Sequence, residues 1–255
     1  MIELYHWEPN GASGRAMICL KEKGIDFTSR YVDVLAFQQH QPPFLALHET
    51  GEVPVLVRDG DAYWESSYLC EYLDEAFPDN PLMPKEPLAR WEVRAWQKYV
   101  DDFVAASVGD LAWAAYGAKA LKGRDRAEIE TAIARIPMKE RRDIWQAALA
   151  GLSETQLASS RERIKKAVEK MEADLRSSGW LAGGAFSLAD VAAFPFVNYL
   201  PRLTPEIVNE QVSPRTLAWL GRVAERPAVK AALAMARTAD PFAIAAPGSE
   251  HVRWG

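Results

Sequence analysis

The fold is decided by residues 53–77, VPVLVRDGDAYWESSYLCEYLDEAF. Two short runs of β-forming residues, 53–57 and 62–64, flank Asp59-Gly60, which is a strong signal for a hairpin turn. Glu65-Ser66-Ser67 then supplies polar residues of the kind that begin helices, and apolar residues with helical spacing follow. The stretch therefore predicts strand, turn, strand and helix in that order.

The residues before this stretch add further strands and helices. Residues 2–6 alternate in hydropathy and predict a strand, and Ser13 opens a helix that stops at Gly24. Residues 27–33 alternate again and predict a second strand, and a helical stretch lies around 37–48. The predicted order for the first part of the chain is therefore β-α-β-α-β-β-α.

A proline-rich stretch, residues 78–87 (PDNPLMPKEP), separates this mixed part from a long helical part. Four prolines in ten positions cannot continue a helix or a central strand, so the stretch predicts a linker. We expect an α/β domain, a linker, an all-helical domain and an extended C-terminal tail over residues 1–80, 81–87, 88–240 and 241–255. The helical patterns cover 88–119, 126–134, 138–149, 154–178, 188–200, 213–224 and 227–239.

Composition argues against several functional classes. The 255 residues are 49% apolar and 25% charged with a net charge of −5, a balance that does not attract nucleic acid or an anionic membrane. The N-terminus lacks the basic start and long apolar stretch of a signal peptide, so we expect a cytoplasmic protein. Cys19 and Cys70 cannot form a disulfide framework, and the four histidines lack metal-ligand spacing, so we expect no metal.

Four local features, in this order, resemble those of the cytosolic glutathione transferases. They are Ser13 at the mouth of the first helix, the Val53-Pro54 turn, the Glu65-Ser66 pair before the third helix, and Ser187-x-x-Asp190, which has the spacing of a helix capping box. The resemblance covers essentially the whole chain. It implies a thioredoxin-like βαβαββα domain followed by an all-α bundle, with a cis proline at position 54.

Within that family, three stretches look like the bacterial β-aryl etherases, which cleave lignin-derived dimers with glutathione. They are Phe37-Gln38-Gln39-His40, Ile136-Pro137-x4-Arg142-x2-Trp145 and Phe186-Ser187-Leu188-Ala189-Asp190. This narrower resemblance implies that glutathione, as co-substrate, displaces a phenol from an α-keto aromatic ether. One departure is Ala12, where the etherases have an Asn, so Ser13 alone would handle the sulfur.

The resemblance makes Ser13 the residue that activates the glutathione thiol. One hydroxyl donor to a charged acceptor contributes about 1.5–3 kcal/mol, and a helix N-terminus adds about 0.3–1 kcal/mol. Lowering a thiol pKa by roughly two units needs about 2.7 kcal/mol, so Ser13 could suffice. The alternatives are that Ser13 is a plain helix cap, or that Tyr5 on the first strand takes this role.

The resemblance also assigns the residues that bind the rest of glutathione: Gln39, His40, Val53, Pro54, Glu65 and Ser66. Ser66 would take the γ-glutamyl carboxylate at a helix N-terminus and Glu65 the ammonium. The alternative, which is compatible with ligand binding, is a helix cap with Glu65 as a favourable charge beside the helix dipole. The Val53 backbone would pair with the cysteinyl moiety. Gln39 and His40 would lie near the glycyl carboxylate, although polar residues on a surface helix would look the same.

The helical part is rich in aromatic residues, and Trp113 with Tyr116 are the predicted lining of an aromatic substrate pocket. We expect a dimeric enzyme, a homodimer or a heterodimer with a paralogue. The other possibilities are a general detoxifying transferase, a non-catalytic module of the same fold, and a chloride-channel-like relative. Because Cys19 lies well inside its helix, both cysteines are interpreted as packing residues, which argues against thiol transfer.

Overall fold

The computed structural model describes residues 1–247, and within them four strands form one sheet in the order β2-β1-β3-β4. β1 pairs in parallel with β2 and antiparallel with β3, whose hairpin partner is β4. The hairpin turns at Asp59-Gly60, as predicted. The strands are β1 (Ile2–His6), β2 (Thr28–Tyr31), β3 (Val55–Arg58) and β4 (Asp61–Tyr63).

Successive side chains of each strand point to opposite faces of the sheet, and both faces are covered. Leu4 and Leu56 lie opposite each other and belong to the main core. Tyr5 and Val55 point to the other face and pack with Phe44. The helices of this part are α1 (Gly11–Glu22), α2 (Pro42–Leu45) and α3 (Ser66–Ala76).

The rest of the described chain is helical. Residues 87–120 are helical throughout, because π-helical turns at Val100–Val104 and Trp113–Gly117 connect the α-helical pieces. The helices are α4 (Pro87–Tyr99), α5 (Ala105–Ala112), α6 (Ala118–Ala120), α7 (Arg126–Ala134), α8 (Lys139–Ala150), α9 (Glu154–Ser178), α10 (Leu188–Val197), α11 (Leu200–Leu203), α12 (Pro214–Ala224) and α13 (Pro227–Leu233).

Helix α1 packs closely against α10, which joins the mixed part to the helical part. A Cβ atom at Gly14 would lie 2.9 Å from Pro195 Cβ and 2.9 Å from the Pro9 carbonyl oxygen, so only glycine permits this approach. A buried ion pair also fixes the linker: Lys23 of α1 contacts Asp74 of α3 at 2.7 Å. The same Asp74 carboxylate accepts hydrogen bonds from the backbone N–H groups of Leu82 and Met83.

The structure alters three details of the predicted elements. The first helix begins at Gly11 rather than at Ser13. The helical stretch expected around 37–48 is a 3₁₀ turn, Gln38–His40, followed by the single turn of α2, because Pro42 and Pro43 lack the N–H groups of a longer helix. The last helix ends at Leu233 instead of continuing to residue 239. Of the expected tail, residues 248–255 lie outside the described residues.

The predicted capping box is present at the start of α10 and is buried. Asp190 accepts hydrogen bonds from the backbone N–H groups of Ser187 (2.9 Å) and Leu181 (3.2 Å), and from the Trp219 indole (2.7 Å). A second box, Ser153 with Gln156, starts α9 at the surface. The two boxes share a geometry and differ in burial.

The Asp190→Ala substitution should lower the free energy of unfolding by about 3–5 kcal/mol, because three donors would be left buried without an acceptor. Gln156→Ala, at the equivalent position of the exposed box, should cost less than about 1 kcal/mol. Urea denaturation of both variants provides the comparison. Equal losses would show that burial of the Asp190 network does not stabilise the protein.

Candidate active site

A cleft of about 860 Å³, counted out to its open mouth, lies where the N-terminus of α1, the loop before β3 and the helical part meet. Its polar side includes Ser13, and its other walls are largely apolar. The lining residues come from distant parts of the chain: Trp7, Asn10, Gly11, Ala12, Ser13, Val34, Gln39, His40, Gly51, Glu52, Val53, Val108, Gly109, Ala112, Arg141, Ile144, Trp145, Phe196, Tyr199, Ala245, Ala246 and Pro247.

Ser13 lies in the first turn of α1 and is not the helix cap. The N-cap position belongs to Asn10, whose side chain donates instead to the Pro241 carbonyl oxygen. Ser13 is 3% exposed, and its Oγ accepts a hydrogen bond of 3.1 Å from the Trp7 backbone N–H. No described residue accepts the hydroxyl proton, so Ser13 can donate it to a molecule in the cleft.

The Val53-Pro54 peptide bond is cis, as the resemblance implied, and Val53 lines the cleft. Tyr5, the alternative to Ser13, does not line it. Its ring packs edge-on against Phe44 with centroids 6.2 Å apart, on the other side of the sheet. The first strand therefore directs Tyr5 away from the cleft that Ser13 lines.

Glu65 and Ser66 start α3, next to a second pocket that shares Glu52 and Arg141 with the cleft. Glu65 has a positive φ of 61° and lines this second pocket, while its side chain caps no helical N–H. Burial, reinforced by the negative charge of Asp101, raises the pKa of Glu65 above its ordinary value. Glu65 therefore occupies the N-cap position of α3 without a capping hydrogen bond, and its charge lies beside the helix N-terminus.

Arg15 is a buried residue that the sequence interpretation missed. It is 3% exposed and ion-paired with Asp101, and it donates to Ser66 Oγ at 3.1 Å. Ser67 closes the group by donating to Asp101 at 2.9 Å. The available signal was the arginine itself, which lies in α1 directly before the apolar run AMICL. A charged residue in such a helix is rarely buried without a specific partner.

Gln39 and His40 lie on the 3₁₀ turn and line the cleft, so the surface-helix alternative is wrong for these two residues. Gln39 Nε2 donates to the Val34 carbonyl oxygen at 3.2 Å. Gln39 Oε1 and His40 Nδ1 are both buried without a partner among the described residues. Burial, helped by the positive charge of Arg141, lowers the pKa of His40 to about 4, which keeps the ring neutral.

The aromatic wall of the cleft differs from the predicted one. Trp7, Trp145, Phe196 and Tyr199 form it. Trp113 belongs instead to the cluster under α7 and α8, where its indole N–H donates to the Ala148 carbonyl oxygen at 2.9 Å. Tyr116 packs against the main core. Both lie on a π-helical turn, where the side-chain spacing of a regular α-helix does not apply.

The segment after α13 closes one side of the cleft. Glu8, which is fully buried, accepts hydrogen bonds from the backbone N–H groups of Arg237 and Thr238. Tyr199 donates to the Ile244 carbonyl oxygen at 2.9 Å. These contacts bring residues 245–247 to the cleft. The segment is therefore held by the loop between β1 and α1, which leads directly into the turn of α1 that carries Ser13.

Comparison with known proteins agrees with this architecture. Residues 4–81 match the family model "Glutathione S-transferase, N-terminal domain", and residues 108–227 match "Glutathione S-transferase, C-terminal domain". The chain belongs to the glutathione S-transferase family. Glutathione is the co-substrate of this family of enzymes.

Two similar transferases give this placement more detail. Protein LigF of Sphingobium sp. strain SYK-6 is 33% identical over 90% of this chain and 91% of its own length. A glutathione S-transferase of Arabidopsis thaliana is 28% identical over 86% of this chain and 90% of its own. Both alignments run through the mixed and the helical parts of this transferase.

Solved structures show the same relationship. The crystal structure titled "Beta-etherase LigF" superposes with a TM-score of 0.86 at 32% identity, covering 91% of this chain and 98% of that one. A glutathione transferase from Populus trichocarpa gives 0.71 at 25% identity, covering 91% and 97%. The transferase fold is shared by both, and the LigF backbone follows this one more closely.

The two cysteines of this transferase pack in the main core, as expected from the sequence. Cys19 and Cys70 are buried free thiols that do not line the cleft. Over residues 1–247, no group of three His, Cys, Asp or Glu side chains is arranged to hold a metal ion. None of the described helices is long and apolar enough to cross a membrane.

A neutral histidine next to the site should make the stability of this transferase depend on pH. His48 Nδ1 accepts a hydrogen bond from the Glu52 backbone N–H, and burial lowers the pKa of His48 to about 4. Between about pH 4 and 6.5 the unfolded chain therefore binds a proton that the folded chain does not, so stability falls as the pH falls. His48→Asn, which retains an acceptor atom, should flatten this dependence by about 1 kcal/mol per pH unit.

Chemical denaturation of the wild type and of His48→Asn across this pH range measures the two slopes. Glu49→Gln, at the adjacent position, serves as the control for a change in local charge. Parallel slopes for the wild type and His48→Asn would contradict a neutral His48 in the folded protein.

Proposed function

We propose that this transferase cleaves β-aryl ether bonds of lignin-derived α-keto aromatic dimers, with glutathione as the nucleophile. One observation carries the proposal: the Ser13 hydroxyl has an available proton and faces a cleft with an aromatic wall. The similarity to LigF, whose solved structure is titled a β-etherase, gives the substrate class. A transferase for other electrophiles is the alternative, and the experiments below distinguish the two.

Ser13 would act by stabilising the glutathione thiolate. A free thiol has a pKa near 8.5, so only about 3% is ionised at neutral pH. A hydroxyl donor to the charged sulfur contributes about 1.5–3 kcal/mol, and the upper end of this range makes the thiolate the main form at neutral pH. The position of Ser13 in the first turn of α1 adds the favourable field of the helix N-terminus.

The reaction that follows is a displacement. The thiolate sulfur attacks the carbon that bears the aryl ether, next to the ketone, and a carbon–sulfur bond forms as the carbon–oxygen bond breaks. The electron pair leaves on the phenolate, which takes a proton from water because its pKa is near 10. The products are a glutathione thioether and a phenol, and no oxidant or reductant is needed.

The γ-glutamyl end of glutathione would bind at the start of α3. Ser66 and Arg15 supply donors for its carboxylate, and Arg15 Nη2 is buried without a partner among the described residues. Glu65 and Asp101 supply negative charge for its ammonium group. The Val53 backbone beside the cis peptide bond would hold the cysteinyl moiety between these two ends.

We also propose that the active form is a homodimer. Large apolar side chains are exposed together on the surface around α3 and α4: Trp64, Tyr68, Leu88 and Trp91. The Arg94–Glu71 ion pair links α3 to α4, which brings the neighbouring Tyr68 and Trp91 to the same part of the surface. A second copy of this chain would bury these side chains.

The use of glutathione as a reduced thiol is consistent with a cytoplasmic enzyme.

The expected activity is the release of phenol from a racemic α-keto β-aryl ether in the presence of glutathione. A chiral column should show that one enantiomer is consumed, and a glutathione thioether should form in an equal amount. Retention on glutathione resin without phenol release would replace the etherase with a transferase for another electrophile. A protein that neither binds the resin nor turns over would be a non-catalytic module.

Ser13→Ala should lower the rate of phenol release by about 10- to 100-fold and raise the pKa of bound glutathione by one to two units, because the donor to the sulfur is lost. Ser107→Ala is the matched control. Ser107 is a buried serine that donates to a helix carbonyl and does not line the cleft. Unchanged thiolate absorbance and full turnover in Ser13→Ala would contradict this mechanism.

Trp91→Glu should convert the dimer to a monomer, because Trp91 is 65% exposed in a single chain and a charge there opposes burial. Size-exclusion chromatography with light scattering measures the mass. Val212→Glu, another exposed apolar position, should leave the dimer intact. A monomeric wild type would contradict the homodimer and favour the heterodimer instead.

A further inference from the structure

Arg141 is a charged residue of the helical part that reaches the glutathione side of the cleft. It belongs to α8, is 5% exposed and forms an ion pair with Glu52, the residue before Val53. It borders both the cleft that contains Ser13 and the second pocket that contains Glu65. A buried arginine at the junction of two pockets is positioned to meet an anionic ligand that extends from one into the other.

The position of α8 is fixed by its neighbours. Arg142 donates to the carbonyl oxygens of Ile136 and Pro137 at 2.6 and 2.9 Å, which closes the turn that leads into the helix. One turn later, Trp145 packs against Phe37 with ring centroids 4.6 Å apart. Helix α8 is thereby held against the turn that carries Gln39 and His40, so Arg141 is presented to the site by packed structure.

The charges of the lining residues indicate what Arg141 can bind. Glutathione carries two carboxylates and one ammonium group at neutral pH. Arg15 contacts Ser66, so in the proposed binding mode it would serve the γ-glutamyl carboxylate. Burial keeps the pKa of both His40 and His48 at about 4, so neither is a cation at neutral pH. Among the described residues that line the cleft, Arg141 is the permanent cation.

Unused hydrogen-bonding capacity lies on the same side of the cleft. Gln39 Oε1 and His40 Nδ1 are buried with no partner among residues 1–247. Gly51 leaves room for the His40 ring, since a Cβ there would lie 2.3 Å from His40 Nδ1. Buried polar atoms are costly to leave unsatisfied, so this corner is built for a polar ligand.

We propose that Arg141 binds the glycyl carboxylate of glutathione, so that a helix of the second domain completes the co-substrate site. The proposal rests on the proposed function, which supplies glutathione as the ligand. Arg141 would form a charge-assisted hydrogen bond to the carboxylate beside Gln39 and His40. The ion pair with Glu52 positions the guanidinium at the cleft edge.

The test compares the binding of two ligands to the wild type and to variants of Arg141. Glutathione and its monoethyl ester on the glycyl carboxylate differ in the one charge that Arg141 would recognise. Isothermal titration calorimetry should show that Arg141→Gln weakens glutathione about 10- to 100-fold and weakens the ester much less, because a charged hydrogen bond is lost only with the acid. The affinity of Arg141→Lys for glutathione should lie between those of the wild type and Arg141→Gln, because lysine keeps the charge and lacks the planar guanidinium.

Lys139→Gln is the matched control, because it removes the same charge from the same helix at an exposed position. It should leave the affinity for both ligands unchanged. Equal losses for glutathione and the ester in Arg141→Gln, or no loss for glutathione, would overturn the proposal. If Arg141→Gln does not fold, the ratio of the two affinities in Arg141→Lys gives the same decision. A wild type that does not bind glutathione would overturn the proposed function itself.

Discussion

The buried guanidinium of Arg15 is the interaction on which the arrangement of this site depends. Its Nε donates to the Ala192 carbonyl oxygen of α10 at 3.0 Å, while Nη1 bonds to Ser66 of α3 and pairs with Asp101 of the helical part. A buried charge is tolerated only with such partners. The same side chain therefore joins both domains and fixes the start of α3.

This junction explains why the polar end and the apolar wall of the cleft occur together. The close approach of α1 to α10 brings the first turn of α1, with Ser13, next to the end of α10, with Phe196. The loop that precedes α1 also holds the last described segment through Glu8 and Asn10. The turn that carries Ser13 and the elements that form the aromatic wall are consequently fixed by the same few contacts.

The sequence was informative where local chemistry determines the structure. The Asp59-Gly60 hairpin and the Ser187–Asp190 box were predictable because both depend on residues adjacent along the chain. Arg15 was not, since its partners are 51 to 177 positions away. The directions of the Trp113 and Tyr116 side chains could not be deduced either. Both residues lie on a π-helical turn, which changes the side-chain spacing and has no recognisable local sequence signal.

The two parts of the chain contribute to the site in different ways, because local sequence signals position some of its residues and tertiary contacts position the others. The thioredoxin-like part places Ser13, Val53 and Glu65 through short-range signals that are readable in the sequence. The residues that close the cleft, on α8 and in the segment after α13, are placed by tertiary contacts alone. In the proposed mechanism, thiol activation thus depends on the thioredoxin-like part, whereas the shape of the pocket for the electrophile depends on how the later helices pack against it.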